Sequence, residues 1–585
     1  MGKKNTEHIL QNKNIVWHIV PAAASIFAIM LILLGTSKFG PGISADSVAY
    51  MHAAKSLAEG KGFEYFGFNA PFIQWPPLFS SLLALAELFG VGIWAAANYL
   101  NAIILGLIIF ISGIWLSRSV KNVVFVLWGL GAMVFSVPLL YVSRYVWSEP
   151  LFILLLLLFI IEMEKYLKTQ KLSFLLLSAV FAALACMTRY IGVVIILTGA
   201  VVILLQKRRF VNRFCSILLF GFISGLPLGI WAIRNYILSR TLFGARTPSM
   251  YTLKQNIVLT VKTLLSWVIP LAEMNVRLGD TGVRLLKLVF AVFCLIFAVL
   301  LIWLILKKRL AVAGSCERSH KKDAGQGKNL LPVLVTPVLF VMFYIVYLIG
   351  TATAVAFDSI DSRLLSPVFV PLIMIAAVII DSVNHYFKEI EDYEENKYEE
   401  HEENKLVRYT AEAADYTDEA AWDTDEPPRH TTKTSRFTNK AIRYILAVLM
   451  LLWLVCPAYS ALKGLGHLID NGAGGFNTVR WHSSSMINML RENPLDGNIY
   501  SNCPDAIYAL TGKHASYTPR KNSLEIYGFK RFKEAVQRSE ASYIVWFDNY
   551  SAGPNYSIEE LYELYDLEEV AETEEGKVYR LYTPY

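Results

Sequence analysis

IVWHIVPAAASIFAIMLILLG (Ile15–Gly35) is a continuous apolar run, preceded by the basic segment MGKKNTEHILQNKN and followed by TSKFGPG. The run is long enough to cross the ~30 Å hydrocarbon core of a bilayer as a helix. It is also long for the apolar part of a signal peptide, and TSKFGPG lacks a convincing cleavage site of small residues. We therefore interpret it as a retained anchor. The next stretch, ISADSVAYMHAAKSLAEGKGF (Ile43–Phe63), then begins at the far membrane surface and carries Asp46.

The composition extends this interpretation to the whole chain. Of its 585 residues, 55% are hydrophobic, and the mean hydropathy is +0.43. Because the apolar runs are continuous rather than alternating, they predict membrane helices. The formal charge of +6 does not indicate a nucleic-acid partner, since the basic residues cluster in short loops between the apolar runs.

The six cysteines show no paired spacing, and no P-loop, GxGxxG, zinc or hydrolase motif stands in a supporting context.

We predict about eleven membrane spans. They cover residues 15–35, 92–116, 122–140, 150–167, 172–187, 190–205, 213–236, 285–306, 331–350, 364–383 and 442–462. With this count the basic loops all fall on one side, which the positive-inside rule places in the cytoplasm together with the N-terminus. We therefore expect a multi-pass protein of the plasma membrane, with the remaining loops and the C-terminal region outside the cytoplasm.

Two short segments of the first outer loop predict helices that do not span. Pro77–Phe89 is apolar but too short to cross a bilayer comfortably, and counting it as a span would reverse every later loop. We interpret it as an interfacial or re-entrant helix with Pro77 in its first turn. Ser44–Glu59 predicts a second helix at the membrane surface, ended by Gly60 and Gly62.

The domain boundaries follow from changes in composition. Residues 1–385 form the predicted transmembrane bundle, and residues 441–462 add the last span. Between them, residues 386–440 include the acidic stretch Glu389–Arg429, which we expect to be disordered in the cytoplasm.

Residues 463–585 predict a small α/β domain. NIYSN, YIVWF and VYRLY are typical of short strands, and helical patterns cover Asp505–Leu510, Phe532–Gln537 and Ile558–Tyr565. The fold class is therefore mostly α: a polytopic helical membrane bundle with a small C-terminal extracytoplasmic α/β domain.

Two carboxylates lie on the predicted outer side next to apolar helices. Asp46 opens a helix and has an ordinary alternative role as its N-cap. Glu149 opens the fourth span, where the helix dipole also favours an acidic residue, and Arg144, five residues earlier, is a candidate partner for it. Ionisable groups at membrane level are costly and tend to be functional.

Several cations share that side. Arg189 sits in a very short turn between two spans, where it either reaches lipid headgroups or binds a phosphate. Arg234, followed by Asn235, closes the seventh span, a position where a cation also has a structural role. Asp358, Asp361 and Arg363 form a polar cluster against the tenth span, which would be costly without partners.

Carboxylates and arginines on one face suit a phosphate-bearing lipid with an acceptor beside it. Arginine forks bind phosphate, and a carboxylate can remove the proton of an attacking hydroxyl. A transporter or flippase of a lipid-linked saccharide is the alternative. Transporters usually place polar residues near the bilayer midplane, often in repeated halves, and neither feature is evident here. A non-catalytic scaffold whose outer domain binds a partner is a third, weaker interpretation.

The order of these motifs resembles the GT-C glycosyltransferases that use polyprenyl-phosphate sugars, a group containing protein O-mannosyltransferases and bacterial lipid A aminoarabinose transferases. The resemblance covers about residues 10–385. The matching pieces are Asp46 with Tyr50, Pro76-Pro77-Leu78, Ser148-Glu149, Thr188-Arg189, W-x-x-R-N from Trp231 to Asn235, and D-x-R-L-L-x-P from Asp361 to Pro367.

The resemblance implies a role for each matching residue. Asp46 would be the general base for the acceptor hydroxyl, which attacks the anomeric carbon with inversion, and Glu149 would be the second acidic residue of the site. Arg189 and Arg363 would hold the leaving phosphate. Substrate contacts would also come from Tyr50, Arg144, Arg234, Asn235 and Asp361. The expected partners are a polyprenyl-phosphate sugar, membrane lipids and a lipid, polysaccharide or protein acceptor. No cofactor or metal is indicated.

Overall fold

A computed structural model describes residues 2–66, 70–244, 246, 248–268, 330–356, 358–412, 443–445, 447–521, 528–551, 553 and 555–582. Its α-helices are α1 Gly2–Gly35, α2 Ala45–Ala58, α3 Leu78–Leu88, α4 Ile93–Ser119, α5 Val123–Val134, α6 Val137–Ser143, α7 Glu149–Thr169, α8 Leu172–Thr188, α9 Val193–Leu204, α10 Phe210–Ser239, α11 Leu253–Val268, α12 Leu331–Ala354, α13 Ser362–Glu412, α14 Val455–Asn471, α15 Val479–His482, α16 Ser485–Glu492, α17 Pro504–Thr511, α18 Phe529–Arg538 and α19 Ile558–Tyr562. The strands are β1 Glu64–Tyr65, β2 Ala70–Pro71, β3 Asn498–Ser501, β4 Ser516–Tyr517, β5 Ser542–Phe547, β6 Asp566–Thr573 and β7 Gly576–Tyr582.

Six helices within the described residues are long and apolar enough to cross a membrane, and a seventh span results if the bent pair α5 and α6 counts as one. They are Trp17–Gly35, Ile93–Ser119, Phe210–Ser239, Leu331–Ala354, Ser362–Glu389 and Arg443–Asn471. The polytopic helical bundle is thus confirmed, whereas the count of eleven spans is not. The predicted spans 172–187 and 190–205 are short apolar helices, and the predicted span 285–306 lies outside the described residues.

Helix α7 lies at the centre of the bundle. Its side chains from Glu149 to Leu157 are all buried, and it packs against α4, α8, α12 and α13. A helix that is apolar on every face either faces lipid or is covered by other helices, and the leucine-rich sequence EPLFILLLLLF of α7 is covered by other helices. The first residue of this central helix is Glu149.

Helix α2 is buried rather than lying free on the membrane surface. Val48, Ala49, Tyr50 and Ala53 are fully buried, because α3 and α4 pack on one side and α17 of the C-terminal region packs on another. Ser44 is the N-cap and exchanges hydrogen bonds with Ser47 in a capping box. The interpretation of Asp46 as the N-cap is therefore wrong.

Helix α13 is longer than the predicted tenth span. It continues to Glu412, so residues 389–412 are helical and the expectation of disorder is wrong for them. Glutamate and lysine, which dominate this stretch, are good helix formers, so their charge does not prevent a helix that extends from a packed span. Residues 413–440 of the acidic segment lie outside the described residues.

The C-terminal α/β domain is confirmed. Its sheet has the strand order β4-β3-β5-β7-β6, with β4, β3 and β5 parallel and β7 antiparallel to both β5 and β6. Alternate residues of β5 face opposite sides: Val545 and Phe547 join one buried cluster, and Ile544 and Trp546 join the other. Helices therefore cover both faces of the sheet.

This domain is attached to the end of the bundle that carries Asp46. The Asn477 side chain donates to the backbone oxygens of Phe39 at 3.0 Å and Pro41 at 2.7 Å. Gly475 adopts a φ of +59°, and a Cβ there would lie 1.8 Å from the carbonyl oxygen of Ile43, so glycine is required for this close approach. The connection fixes the domain directly over the start of α2.

Candidate active site

Four helix ends meet beneath the C-terminal domain. Asp46 lies in the first turn of α2, Glu149 begins α7, Arg189 follows the last residue of α8, and Arg363 lies in the first turn of α13. The sequence predicted all four as site residues, and the fold brings them together although they are far apart in the chain. Their position at helix ends agrees with a site at a membrane surface rather than at the bilayer midplane.

Arg363 connects the two carboxylates. Its Nε donates to Oε1 of Glu149 at 2.6 Å, and its Nη2 donates to Oδ2 of Asp46. The guanidinium also lies over the ring of Trp147, 4.0 Å from the centroid, a cation–π contact. Glu149 is only 1% exposed, and a buried carboxylate needs such partners, because removing a charge from water costs several kcal/mol.

Arg189 makes the second contact with Glu149. Its Nη1 lies 2.7 Å from Oε1 of Glu149 and donates to the Ser148 hydroxyl at 3.2 Å. The Tyr50 hydroxyl pairs with the same Ser148 oxygen at 2.9 Å. Because Tyr50 is completely buried, the structure places it behind Ser148 and Arg189, where it orients them.

The site retains unused hydrogen-bonding capacity. Among the described residues, Oδ1 of Asp46 and the Nε and Nη2 groups of Arg189 have no hydrogen-bond partner. The buried Oε2 of Glu149 also lacks one. A buried carboxylate oxygen without a hydrogen-bond partner destabilises the ligand-free protein, and a bound ligand could supply that partner. Free acceptors and free donors therefore stand within one small polar cluster.

Asp361 positions Arg363. Its Oδ1 accepts from the backbone N–H groups of Arg363 at 3.0 Å and Leu364 at 3.1 Å, so it caps α13. Burial raises the pKa of Asp361, and these backbone hydrogen bonds oppose that rise. Asp358 is exposed, and its carboxylate lies 3.9 Å from Nη1 of Arg363.

Arg234 and Asn235 belong to a neighbouring cluster that holds the first outer loop. Arg234 donates to the backbone oxygens of Phe72 at 2.8 Å and Phe63 at 3.3 Å. The Asn235 amide donates to the Tyr190 hydroxyl at 3.2 Å, and that hydroxyl donates to the backbone oxygen of Ile73 at 2.7 Å. The structure thus places both residues against the loop rather than beside Asp46.

Arg144 does not pair with Glu149, so that alternative is wrong. Its guanidinium lies over the rings of Tyr141 at 5.1 Å and Tyr145 at 5.6 Å. Tyr145 stacks on Trp147 at 4.1 Å between centroids, so an aromatic platform separates Arg144 from Arg363.

Sequence reasoning missed several residues that complete the site. Trp147 lies two residues before Glu149, and Tyr190 directly follows Arg189, so their closeness in the chain to predicted residues was an available signal. Asp505 had no such signal. Burial raises the pKa of Asp505 to about 6, and the negative charge of Asp46 adds to this rise. The hydrogen bond that Tyr517 donates to Asp505 acts in the opposite direction.

In the part of the chain that the structure describes, no group of three or more His, Cys, Asp or Glu side chains is arranged to hold a metal ion. Arg363 instead contacts both Asp46 and Glu149. The positive charge between these carboxylates therefore comes from the protein itself.

No family model and no curated protein sequence matches this chain. Among solved structures, ArnT from Cupriavidus metallidurans in the apo state is similar over 97% of this chain and 98% of that one, with a TM-score of 0.53 and 11% identity. ArnT from the same organism bound to undecaprenyl phosphate is similar over 96% of this chain and 98% of that one, with a TM-score of 0.54 and 12% identity. The resemblance to the GT-C group that contains the aminoarabinose transferases is thereby confirmed for the fold: the protein has the fold of ArnT over nearly its whole length.

Proposed function

We propose that this protein transfers a sugar from a polyprenyl-phosphate carrier to an acceptor hydroxyl, with inversion at the anomeric carbon. The observation that carries the proposal is the bridge from Asp46 through Arg363 to Glu149, with Arg189 on the far side of Glu149. This arrangement combines a base, a second carboxylate and two cations at the end of an apolar bundle. A lipid carrier can reach such a place without leaving the membrane.

The fold supports a lipid-linked donor. The ArnT structure that shares this fold holds undecaprenyl phosphate. In the present chain, six helices of the described residues are long and apolar enough to span a membrane, and one of them, α13, carries Arg363 in its first turn. We place the N-terminus in the cytoplasm and the site with its α/β domain on the extracytoplasmic side, because the order of spans predicted from the sequence puts the basic loops on the opposite side from Asp46.

Asp46 is the proposed base. Arg363 holds Oδ2, whereas Oδ1 has no partner among the described residues and the side chain is 27% exposed. A carboxylate can accept the proton in such a displacement, because the hydroxyl becomes acidic as its oxygen bonds to the anomeric carbon. The new C–O bond forms, its proton passes to Asp46, and the bond to the phosphate oxygen breaks with its electron pair.

Arg189 is the proposed partner of the leaving phosphate. Its Nε and Nη2 groups have no hydrogen bond within the described residues. A guanidinium that is already fixed by Glu149 needs no reorganisation when charge grows on the departing oxygen, which is the property that makes a preorganised donor effective. Arg363 and Arg189 supply positive charge at the site, so the proposal requires no metal ion.

Glu149 is the proposed contact to a sugar hydroxyl. Its Oε1 accepts from both arginines, and its buried Oε2 has no partner. A donor sugar that placed a hydroxyl against Oε2 would satisfy this orphaned acceptor. The same contact would orient the anomeric carbon between Asp46 and the phosphate.

The test uses the full chain purified into lipid nanodiscs with a panel of labelled polyprenyl-phosphate sugars and membrane extract as the acceptor source. The wild type is compared with Asp46→Asn and with Glu59→Gln, which removes an exposed carboxylate just after α2. We expect the wild type and Glu59→Gln to release free polyprenyl phosphate, and Asp46→Asn to be slower by about 10²–10⁴-fold.

Equal turnover by Asp46→Asn and the wild type would remove Asp46 from the chemistry. If no donor were consumed while labelled lipid changed leaflet, the protein would be a transporter and the transferase proposal would fall. The donor that responds identifies the sugar.

A further inference from the structure

A cavity of about 670 Å³ lies between α2 and the C-terminal sheet. Its lining comes from both parts of the chain: His52 from α2, Asn498 from β3, His514 and Ser516 at β4, and Arg531 and Arg538 from α18. None of these residues takes part in the contacts of Asp46, Glu149 or Arg363. The catalytic site therefore does not account for the cavity.

Two free cations line one wall. Arg531 and Arg538 are spaced seven residues apart on α18, which places them on one face of the helix together with Glu534. Across the described residues, neither arginine has a hydrogen bond or ion pair within the protein. The guanidinium is the side chain best suited to carboxylates and phosphates, because it donates through a planar fork.

The other walls offer neutral hydrogen-bonding groups. Burial lowers the pKa of His52 to about 4, and the nearby His514 and Lys55 add to this shift. Burial also lowers the pKa of His514. Both imidazoles are therefore neutral at physiological pH. His52 pairs with the Tyr508 hydroxyl at 3.0 Å. The Asn498, Ser516 and Ser539 side chains add further polar groups. Neutral hydrogen-bonding groups beside two cations match a hydroxyl-rich molecule that carries negative charge.

The cavity is close to the proposed base. His52 and Asp46 belong to the same helix and are separated by six residues, a rise of about 9 Å along its axis. A short oligosaccharide is long enough to occupy the cavity and extend to Asp46. The lipid carrier of the donor sugar would approach Asp46 from the membrane bundle. The cavity therefore suits the acceptor.

We propose that this cavity binds the acceptor and that the acceptor is an anionic saccharide, held through its charge by Arg531 and Arg538. The statement that the saccharide is an acceptor rests on the proposed transferase function. The statement that the cavity binds an anionic saccharide does not, because binding is measurable without turnover.

Binding is tested with the full chain in nanodiscs and two soluble probes, tri-galacturonate, which carries carboxylates, and neutral maltotriose. The variants are Arg531→Gln/Arg538→Gln and, as a matched loss of charge on the same helix, Lys530→Gln/Lys533→Gln, whose side chains are exposed and do not line the cavity. We expect the wild type and the lysine variant to bind tri-galacturonate in a salt-sensitive way, and the arginine variant to bind it at least roughly tenfold more weakly. Maltotriose should bind weakly to all three.

Absence of tri-galacturonate binding by the wild type would overturn the inference, as would equal binding by the arginine variant. If both double variants lost the same affinity for tri-galacturonate, the effect would come from the total charge of the helix and not from the cavity, which would also overturn the inference. If the cavity binds as expected but no sugar donor is ever consumed, only the transferase proposal fails. If transfer occurs, the arginine variant should raise the KM for an anionic acceptor more than the lysine variant does.

Discussion

Arg363 contacts carboxylates on two different helices, and that single side chain connects the outer helix α2 to the core of the bundle. Through Nε it holds Glu149 of α7, and through Nη2 it holds Asp46 of α2. The planar guanidinium can serve two acceptors at fixed separation, whereas an ammonium is a point charge on a flexible stem. The identity of the cation therefore matters as much as its charge.

Arg363→Lys should preserve the net charge and lose the bridge. We expect sugar transfer to fall by about 10²–10³-fold, the usual range for losing one preorganised electrostatic contact. The melting temperature should change less than in Arg363→Ala, which strands the buried Glu149 beside Arg189 alone. Steady-state release of polyprenyl phosphate and thermal melting in detergent measure the two effects. Arg240→Lys, in a cation that lies against Tyr236, is the control; wild-type activity in Arg363→Lys would show that the bridge is dispensable.

At the scale of elements, the site depends on where helices begin. Glu149 is the first residue of α7, and Arg363 lies in the first turn of α13. Each position is set by local chemistry: Pro150 suits the first turn of α7, and the Asp361 carboxylate accepts from two backbone N–H groups of α13. A change in a cap therefore moves a side chain of the candidate site without touching it.

Asp361→Ala should remove the cap of α13 and destabilise it by about 0.5–2 kcal/mol. Asp361→Ser retains a hydroxyl acceptor and should recover both the stability and most of the transfer rate, because Asp361 acts on Arg363 rather than on substrate. Hydrogen exchange at the Arg363 and Leu364 amides reports the cap, and the kcat for transfer reports the site. If the serine variant restored protection but stayed inactive, the carboxylate would have to contact substrate directly, as the family resemblance implies.

Element by element, the sequence predicted what local patterns encode. The apolar runs, the helix after Pro77 and the strands of the C-terminal domain appear where expected. Residues 389–412 are helical where disorder was expected, because glutamate and lysine are good helix formers despite their charge. The alternative role of Asp46 as the N-cap is wrong, because Ser44 holds that position; serine and aspartate are equally good caps, and only the backbone decides between them.

At the scale of the whole molecule, pairing across long separations was beyond the sequence. Asp46 and Arg363 were both predicted as site residues, but nothing in their neighbourhoods indicates that one guanidinium joins Asp46 to Glu149. The position of the C-terminal domain was equally hidden. Its contact with α2 rests on side chains such as His52 and Tyr508, which have no sequence motif. The domain consequently brings its own buried carboxyl, Asp505, to the end of the bundle that carries Asp46.

Asp505 should make the stability of the C-terminal domain depend on pH. Burial raises its pKa from 3.8 to about 6 in the folded protein, opposed by the hydrogen bond from Tyr517, with Asp46 adding to the rise. Between these values the folded domain keeps the proton while the unfolded chain releases it. Stability therefore falls as pH increases from about 4 to about 6, by up to about 3 kcal/mol, and does not change further above that range.

Native-state hydrogen exchange can follow this local stability in the intact protein. The opening free energy of the β3 and β5 amides, corrected for intrinsic exchange, should decrease across that pH window in the wild type. Asp505→Asn keeps an acceptor for Tyr517 but cannot titrate, so it should abolish most of the decrease and leave the domain more stable at pH 7. Asp566→Asn, at the start of β6 where the side chain is exposed, should behave like the wild type. A decrease that persisted in Asp505→Asn would assign the titration to another group.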